Sequence, residues 1–499
     1  MAQYVGAIDQ GTTSSRFIVF DKKGNIKGVA QEEFEQIFPN PGWVEHDPMA
    51  IWGTVQSTIE GALKNAGIEA KDLVAVGVTN QRETTVVWDK YTGKPFYNAI
   101  VWQDTRTDKI CNELEKDGGQ GRWIEKTGLP ITTYFSCTKV RWILDHVPGL
   151  QQKAERGEVL FGNIDTWVIW NLTGGPNGGL HITDVSNASR TQLMNIHSCQ
   201  WDDDILKVLN IPKVMLPKIM PSSKVYGVCT GVLEGIPVAG DLGDQQAAVF
   251  GQTCFETGEG KCTYGTALCL LYNTGTKPIY STSGLLTTVG YKIGDDGEVF
   301  YILEGTNATG GVVVQYLRDN LGFFTKATEV EALANSVDDT GGAYFVPAFS
   351  GLFAPYWKTD ARGLIIGLTR YVTKAHIARA ALESLCYQTK EMLDSFSKDW
   401  GVTFTTLKVD GGAVYNDTLM QFLSDMLDLE VIRPVVTETT ALGAAYAAGL
   451  AVGYWKSLED LKANWAVDKT WRPKMEPEVR DKKFKGWMKA VERTMAWID

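Results

Sequence analysis

The stretch that most constrains this chain is Tyr4-Val5-Gly6-Ala7-Ile8-Asp9-Gln10-Gly11-Thr12-Thr13-Ser14-Ser15-Arg16-Phe17-Ile18-Val19-Phe20. An apolar run enters a small, hydroxyl-rich turn and leaves as a second apolar run, the pattern of a β-hairpin with a polar tip. Gly11 allows close backbone approach at that tip. Backbone N–H groups and Thr/Ser hydroxyls there can face an anion of the phosphate type. Asp9 has the wrong charge to touch phosphate directly. It fits if a Mg²⁺ ion, held through water, lies between them. An ordinary hairpin with a solvated tip accounts for the same residues. The pattern restarts at Lys261-Cys262-Thr263-Tyr264-Gly265-Thr266, followed by Ala267-Leu268-Cys269-Leu270-Leu271-Tyr272. The echo points to two related domains whose hairpins face one another. The boundary falls near residues 250–258, which gives domains 1–254 and 255–499.

A chain of 499 residues is too long for a single core. With 44% hydrophobic and 21% charged residues it has an ordinary globular composition. Its net charge of −11 and the lack of a Lys/Arg-rich run argue against nucleic acid or an anionic membrane as the main partner. The eight cysteines form no Cys-x-x-Cys pair and no Cys/His cluster of zinc spacing. They read as reduced thiols of a cytoplasmic protein, several of them buried. No signal peptide, lipidation or retrieval signal is expected. No apolar run approaches the roughly 20 residues that span a bilayer.

Along the chain, polar clusters recur where apolar strands end. Asp47 and Pro48 cap a helix whose stripe is Ile51, Val55, Ile59, Ala62 and Leu63. A buried strand, 73–78, delivers Thr79-Asn80-Gln81-Arg82-Glu83-Thr84-Thr85. The adjacent Arg82 and Glu83 can serve several hydroxyls at once, or form a surface ion pair. Trp102 is either a core residue or the apolar wall of a small site. Asn163–Trp167 and Thr183–Arg190 read as structural. Val238-Ala239-Gly240-Asp241-Leu242-Gly243-Asp244-Gln245-Gln246 sets Asp244 near a helix N-terminus, as a base or as a helix cap. Val409-Asp410-Gly411-Gly412-Ala413 is a strand running into a glycine turn, where a nucleotide can meet bare backbone. Ala441–Gly449 is a small-residue helix suited to a domain hinge. Residues 465–499 read as a C-terminal helix. A meander followed by helix–strand alternation predicts an α/β fold with mixed sheets flanked by helices.

In order along the chain, these stretches resemble the carbohydrate kinases of actin-like fold, in their glycerol-phosphorylating branch. The residues that carry the resemblance are 9–16, 41–48, 79–85, 243–246, 263–266, 409–413 and 440–445. The resemblance implies two ribonuclease-H-like domains with the active site in the cleft between them. It implies transfer of the γ-phosphoryl group of ATP, with Mg²⁺, to the 3-hydroxyl of glycerol. Arg82, Glu83, Trp102, Tyr134, Asp244 and Gln245 would hold glycerol, with Asp244, at an ordinary pKa, as the base. Thr12, Thr13, Ser14 and Arg16 would contact phosphates, and Asp9 would orient the metal. Thr266, Gly311, Gln315, Gly412 and Asn416 would line the nucleotide. A homodimer or homotetramer is expected.

Three departures from the family pattern stand out. Ala267 replaces a glycine, and Cys269 stands where a Phe packs on the substrate, which predicts a looser site. The stretch Glu304–Gly311 is more polar than in the family. Gly235 replaces an Arg before Ile236-Pro237, and no His lies between Val225 and Pro237. Neither control by fructose 1,6-bisphosphate nor His phosphorylation is therefore expected.

Overall fold

The computed structural model describes residues 3–498. Its first sheet is built from β1 (Tyr4–Gln10), β2 (Ser14–Phe20), β3 (Ile26–Glu33), β4 (Leu73–Asn80), β5 (Ser223–Val228) and β6 (Pro237–Gly243). The strand order is β5-β6-β4-β1-β2-β3. β1, β2 and β3 form an antiparallel meander, while β4 and β6 add in parallel. β3 runs on past Ala30 because Gln31, Glu32 and Glu33 continue to pair with Arg16, Ser15 and Ser14.

The second sheet repeats the plan. Its strands are β7 (Gly260–Tyr264), β8 (Leu268–Gly275), β9 (Leu286–Lys292), β10 (Val299–Asn307), β11 (Thr406–Asp410), β12 (Glu430–Pro434) and β13 (Val467–Trp471). The order is β9-β10-β8-β7-β11-β12-β13. β7, β8 and β10 form the antiparallel part, and β11 and β12 the parallel part. The echo between the two hairpins is thus an echo of whole sheets. The segment expected as a C-terminal helix begins instead with β13, because these residues complete the sheet edge beside β12. Pro473 interrupts the chain after β13, and Pro477 stands at the favoured first position of the helix Pro477–Glu492. Asp499, the end of that expected helix, lies outside the described residues.

Local signals place the helices. Helix α1 (Pro48–Ala66) starts with the Asp47 carboxylate accepting from the Met49 N–H at 2.8 Å and ends at left-handed Gly67. In the second half, a 27-residue helix, Lys374–Trp400, lies in the second sheet's core. The small-residue helix Thr439–Ala451 crosses over and packs on the first sheet, with Ala441, Ala444, Ala445 and Ala448 in one cluster with Val5, Ala7 and Ala75. The approach is close enough to need glycine: a Cβ at Gly77 would stand 2.1 Å from the Ala444 carbonyl oxygen, and one at Gly443 would stand 1.8 Å from that of Ala247. In the other direction, the β9–β10 hairpin docks on the first half, where Thr288 and Ser189 hydroxyls meet at 2.8 Å and Tyr301 donates to the Ile196 carbonyl. Among the described residues no helix is long and apolar enough to cross a membrane. All eight cysteines are buried and unpaired.

Candidate active site

Two cavities meet where the halves face one another. The smaller, about 160 Å³, is lined by Thr12, Gln81, Arg82, Glu83, Trp102, Tyr134, Asp244 and Gln245 from the first half. Thr263, Gly265, Thr266, Ala267, Cys269 and Thr306 close it from the second. The larger, about 450 Å³, is lined by Gly311, Gln315, Gly412, Ala413, Tyr415 and Asn416 among others. Gly265 and Thr266 line both. The sequence-predicted polyol residues and nucleotide residues therefore fall into two separate but adjoining spaces. Thr13, Ser14, Arg16 and Asp9 line neither. Thr13 is exposed, the Ser14 hydroxyl accepts from Gln31 at 2.8 Å, and Arg16 pairs with Glu438 at 2.7 Å.

The polar strand ends are buried, and this excludes a surface role for Arg82 and Glu83, which are 3% and 1% exposed. Arg82 sits at φ 63°, a left-handed conformation that a residue with a side chain adopts at a cost of about 1–3 kcal/mol. Its guanidinium faces four groups. Both Nη atoms donate to Glu304, at 2.8 and 3.1 Å, and Nη2 also donates to the Tyr134 hydroxyl at 3.2 Å. Its Nε makes ion pairs with Asp244 Oδ1 at 3.2 Å and Glu83 Oε1 at 3.7 Å. Three of the five N–H donors are spent in hydrogen bonds, which leaves the Nε–H and one Nη1–H. The Trp102 indole donates to the Thr12 hydroxyl at 3.0 Å, which fixes the ring as one wall of the smaller cavity. Tyr134 meets it edge-on at 5.6 Å.

Asp244 is the first residue of helix Asp244–Gly251, and Gly243 is its cap. The carboxylate accepts from the Gln245 N–H at 2.7 Å and stays 31% exposed to the cavity. Crowding by protein raises its pKa above 3.8, against the pull of Arg82 and with the push of Glu83. This corrects the expectation of an ordinary value: burial outweighs the one nearby guanidinium. Gln245 is held from across the cleft by Lys261, whose Nζ donates to Gln245 Oε1 at 2.5 Å and to Thr263 Oγ1 at 2.6 Å.

Asp9 fits a role beside a metal. It is 7% exposed, no side-chain hydrogen bond among the described residues reaches its carboxylate, and its ion-pair partner Arg16 stands 3.8 Å away. Burial raises its pKa to about 6, with Arg16 opposing. A cation's hydration shell would supply the missing donors. Cys269 lines the smaller cavity as an un-ionised thiol, pushed up to about 12 by burial.

Sequence reasoning missed Glu304, Arg190 and Lys261, and read residues 183–190 as structural. Arg190 reaches the substrate-side network by donating from Nε to Glu83 at 2.7 Å. Asp184 is structural, capping a short helix. Asp165, Asp184 and Asp241 form a buried carboxyl cluster within 4.8 Å. The signal available for Glu304 was a lone charge ending the apolar run Phe300-Tyr301-Ile302-Leu303; such a charge needs a buried partner.

Comparison with known proteins gives the family. Residues 4–251 match the N-terminal domain, and 260–452 the C-terminal domain, of the FGGY family of carbohydrate kinases. The chain is 65% identical to a glycerol kinase of Roseiflexus sp. (strain RS-1) and 63% identical to one of Chloroflexus aurantiacus (strain ATCC 29364 / DSM 637 / Y-400-fl), each over 499 residues and 100% of both chains. Among solved structures it is similar to Plasmodium falciparum glycerol kinase with ADP, with a TM-score of 0.89, 40% identity and 98% of each chain covered. A xylulose kinase of Lactobacillus acidophilus has the same fold at 21% identity and a TM-score of 0.85, covering 98% of this chain and 97% of its own. The chain belongs to the FGGY family of carbohydrate kinases.

Proposed function

We propose that this chain phosphorylates glycerol with ATP, giving sn-glycerol 3-phosphate and ADP. The observation that carries the reading is the junction of the two cavities at Gly265 and Thr266, with Asp244 in the smaller one. Glycerol occupies the 160 Å³ cavity, its carbon backbone against Trp102 and its hydroxyls on Arg82, Glu83, Tyr134, Asp244 and Gln245. The nucleotide occupies the 450 Å³ cavity beside Gly311, Gln315, Gly412 and Asn416, with its phosphates directed at Thr266 and Thr12. Thr13, Ser14 and Arg16 line neither cavity, and Arg16 would contact a phosphate by leaving Glu438.

The transferred phosphorus gains a bond to the glycerol 3-oxygen and loses its bond to ADP. The hydroxyl proton passes to Asp244 Oδ. Asp244 suits this task because its pKa is raised yet its oxygen is open to the cavity. Arg82 keeps that carboxylate aimed. Positioning and charge complementarity supply the remaining catalysis, as phosphoryl transfer requires. Mg²⁺, when bound, neutralises charge on the phosphates, and Asp9 would hold it through water. Residues 1–254 and 255–499 serve as the two working domains, in a cytoplasmic homodimer or homotetramer.

A second polyol remains a reading with its own observation, since Ala267 and Cys269 leave the second-half wall small. ADP release with glycerol, dihydroxyacetone, erythritol and xylitol separates the two. Glycerol is expected to give the highest kcat/KM. An equal value for a longer polyol overturns the glycerol assignment, and turnover independent of any polyol overturns the kinase reading.

A further inference from the structure

Glu304 does not line either cavity, yet the smaller one is organised around it. It lies on β10, so it belongs to the second sheet, paired in register with Leu271 and Leu286. Its side chain is wholly buried. Two guanidinium forks converge on it. Arg82 donates to Oε2 at 2.8 Å and Oε1 at 3.1 Å, and Arg190 donates to the same two oxygens at 3.2 and 3.3 Å. The Thr306 hydroxyl adds a fifth donor at 2.6 Å. Arg190 closes the ring by donating to Glu83. Two arginines and two glutamates are thus paired without solvent, and each arginine reaches a glutamate from both halves of the chain.

That arrangement explains how Arg82 holds a left-handed backbone. A strained residue persists only where its surroundings over-determine it. Here the fork on Glu304, from the other half of the chain, holds the guanidinium on one side, while the Tyr134 hydroxyl accepts from Nη2 and the Asp244 carboxylate pairs with Nε at 3.2 Å on the other. Space is made for it by Gly243, where a Cβ would stand 2.9 Å from Arg82 Cγ. Burial alone would raise the pKa of Glu304. Arg190 and then Arg82 overcome this and hold it down at about 2, so the network keeps its charges throughout the working pH range.

We propose that Glu304, together with Arg190, is a positioning residue for the polyol site: it fixes the Arg82 guanidinium so that one N–H faces the substrate hydroxyl. This rests on the glycerol reading above. A further consequence is that the second half of the chain shapes the polyol cavity as well as the nucleotide cavity. Loss of Glu304 therefore acts on glycerol binding while leaving the nucleotide contacts at Gly311, Gly412 and Asn416 in place.

The test is calorimetric binding of glycerol and, separately, of ADP to full-length wild type, Glu304→Gln, Glu304→Asp and Arg190→Lys. Glu304→Gln is expected to weaken glycerol binding at least ten-fold and to change ADP binding less than two-fold. Glu304→Asp keeps the charge but shortens the reach, and should fall between. A residue with only a structural role would lower the unfolding temperature without splitting the two affinities. If Glu304→Gln does not fold, Glu304→Asp and Arg190→Lys are read by the same ratio, each with glycerol weakened about three-fold or more. Glycerol affinity within two-fold of wild type in the folded variants overturns the proposal. Wild type that binds ADP but no glycerol instead overturns the glycerol reading, and the proposal with it.

Discussion

The two hairpins share a sequence pattern and differ in what their side chains are free to do. At the first, the turn closes through Gly11 N–H on the Ser14 carbonyl, and most of the polar side chains are already engaged. Thr12 accepts from Trp102, Ser14 from Gln31, and Arg16 pairs with Glu438. At the second, Gly265 N–H closes on the Ala267 carbonyl, and the turn is then held from below by backbone alone: Gly310 and Gly311 N–H donate to Thr266 and Gly265 carbonyls. The Thr266 side chain is left exposed in the cleft. One jaw is wired by side chains, to Gln31 and Trp102 of its own half and across to Glu438 of the other. The other is pinned by main chain and keeps its hydroxyl for a ligand. Equal patterns in sequence therefore do not mean equal roles, because partners distant in sequence decide which hydroxyls are spent.

The largest expected effect lies between the jaws. Asp244→Asn should lower kcat by about 10²–10⁴-fold, the range a general base supplies, with ADP affinity within two-fold of wild type. Retention of more than about a tenth of kcat, a loss under ~1.4 kcal/mol, removes Asp244 from the base role. In wild type the acid limb of kcat/KM should lie above 3.8, because the raised pKa keeps Asp244 protonated, and so inactive, to higher pH than an ordinary aspartate.

The jaws themselves should then separate. Thr12→Val removes the acceptor that fixes Trp102, and should raise KM for both glycerol and ATP about ten-fold, near the upper end for one hydrogen bond. Thr266→Ala, without such wiring, should raise KM for ATP about three-fold and leave glycerol unchanged. Equal effects on both substrates from both variants would mean that the two hairpins do the same work. Cys269→Phe fills the small wall of the second jaw, and is expected to raise the glycerol-over-erythritol ratio of kcat/KM about three-fold.

Much of this was legible because polar runs that follow apolar strands have no packing reason to exist. Gln81–Thr85, Gly243–Gln246 and Gly411–Ala413 are such runs, and all three reach the cleft. The sheet echo was legible in Gly265-Thr266, but only as a few residues; the repeated strand order lies in pairings that no local pattern encodes. Glu304, Arg190 and Lys261 were not legible as site residues. Their partners stand 222, 107 and 16 positions away, respectively. The small-residue helix at 439–451 was recognised as a close packer, yet the sheet it packs on could not be read from its own residues. The C-terminal helix was misjudged at its start because an edge strand with one half-exposed face carries weak periodicity.

The smallest effect concerns the buried carboxyl cluster. Burial raises the Asp165 pKa to about 7 and raises that of Asp241 too, and Asp241 Oδ2 has no hydrogen-bond partner among the described residues. A raised carboxyl pKa stabilises the fold at low pH, and that contribution is lost as pH rises through the folded value. Asp241→Asn should therefore raise Tm by about 2 °C at pH 8, by less at pH 5, and not at all below the unfolded aspartate value of 3.8. An equal gain at pH 8 and pH 5 would mean that packing, and not the buried charge, is responsible.

Whether the two adjoining cavities are the halves of one phosphoryl-transfer site is read directly by ³¹P NMR product analysis of the full-length chain with ATP, Mg²⁺ and glycerol, alongside ADP. Glycerol 3-phosphate and ADP are expected in equal amounts, and neither without glycerol. ADP formed with free phosphate in place of glycerol 3-phosphate, at the same rate with and without glycerol, would contradict this.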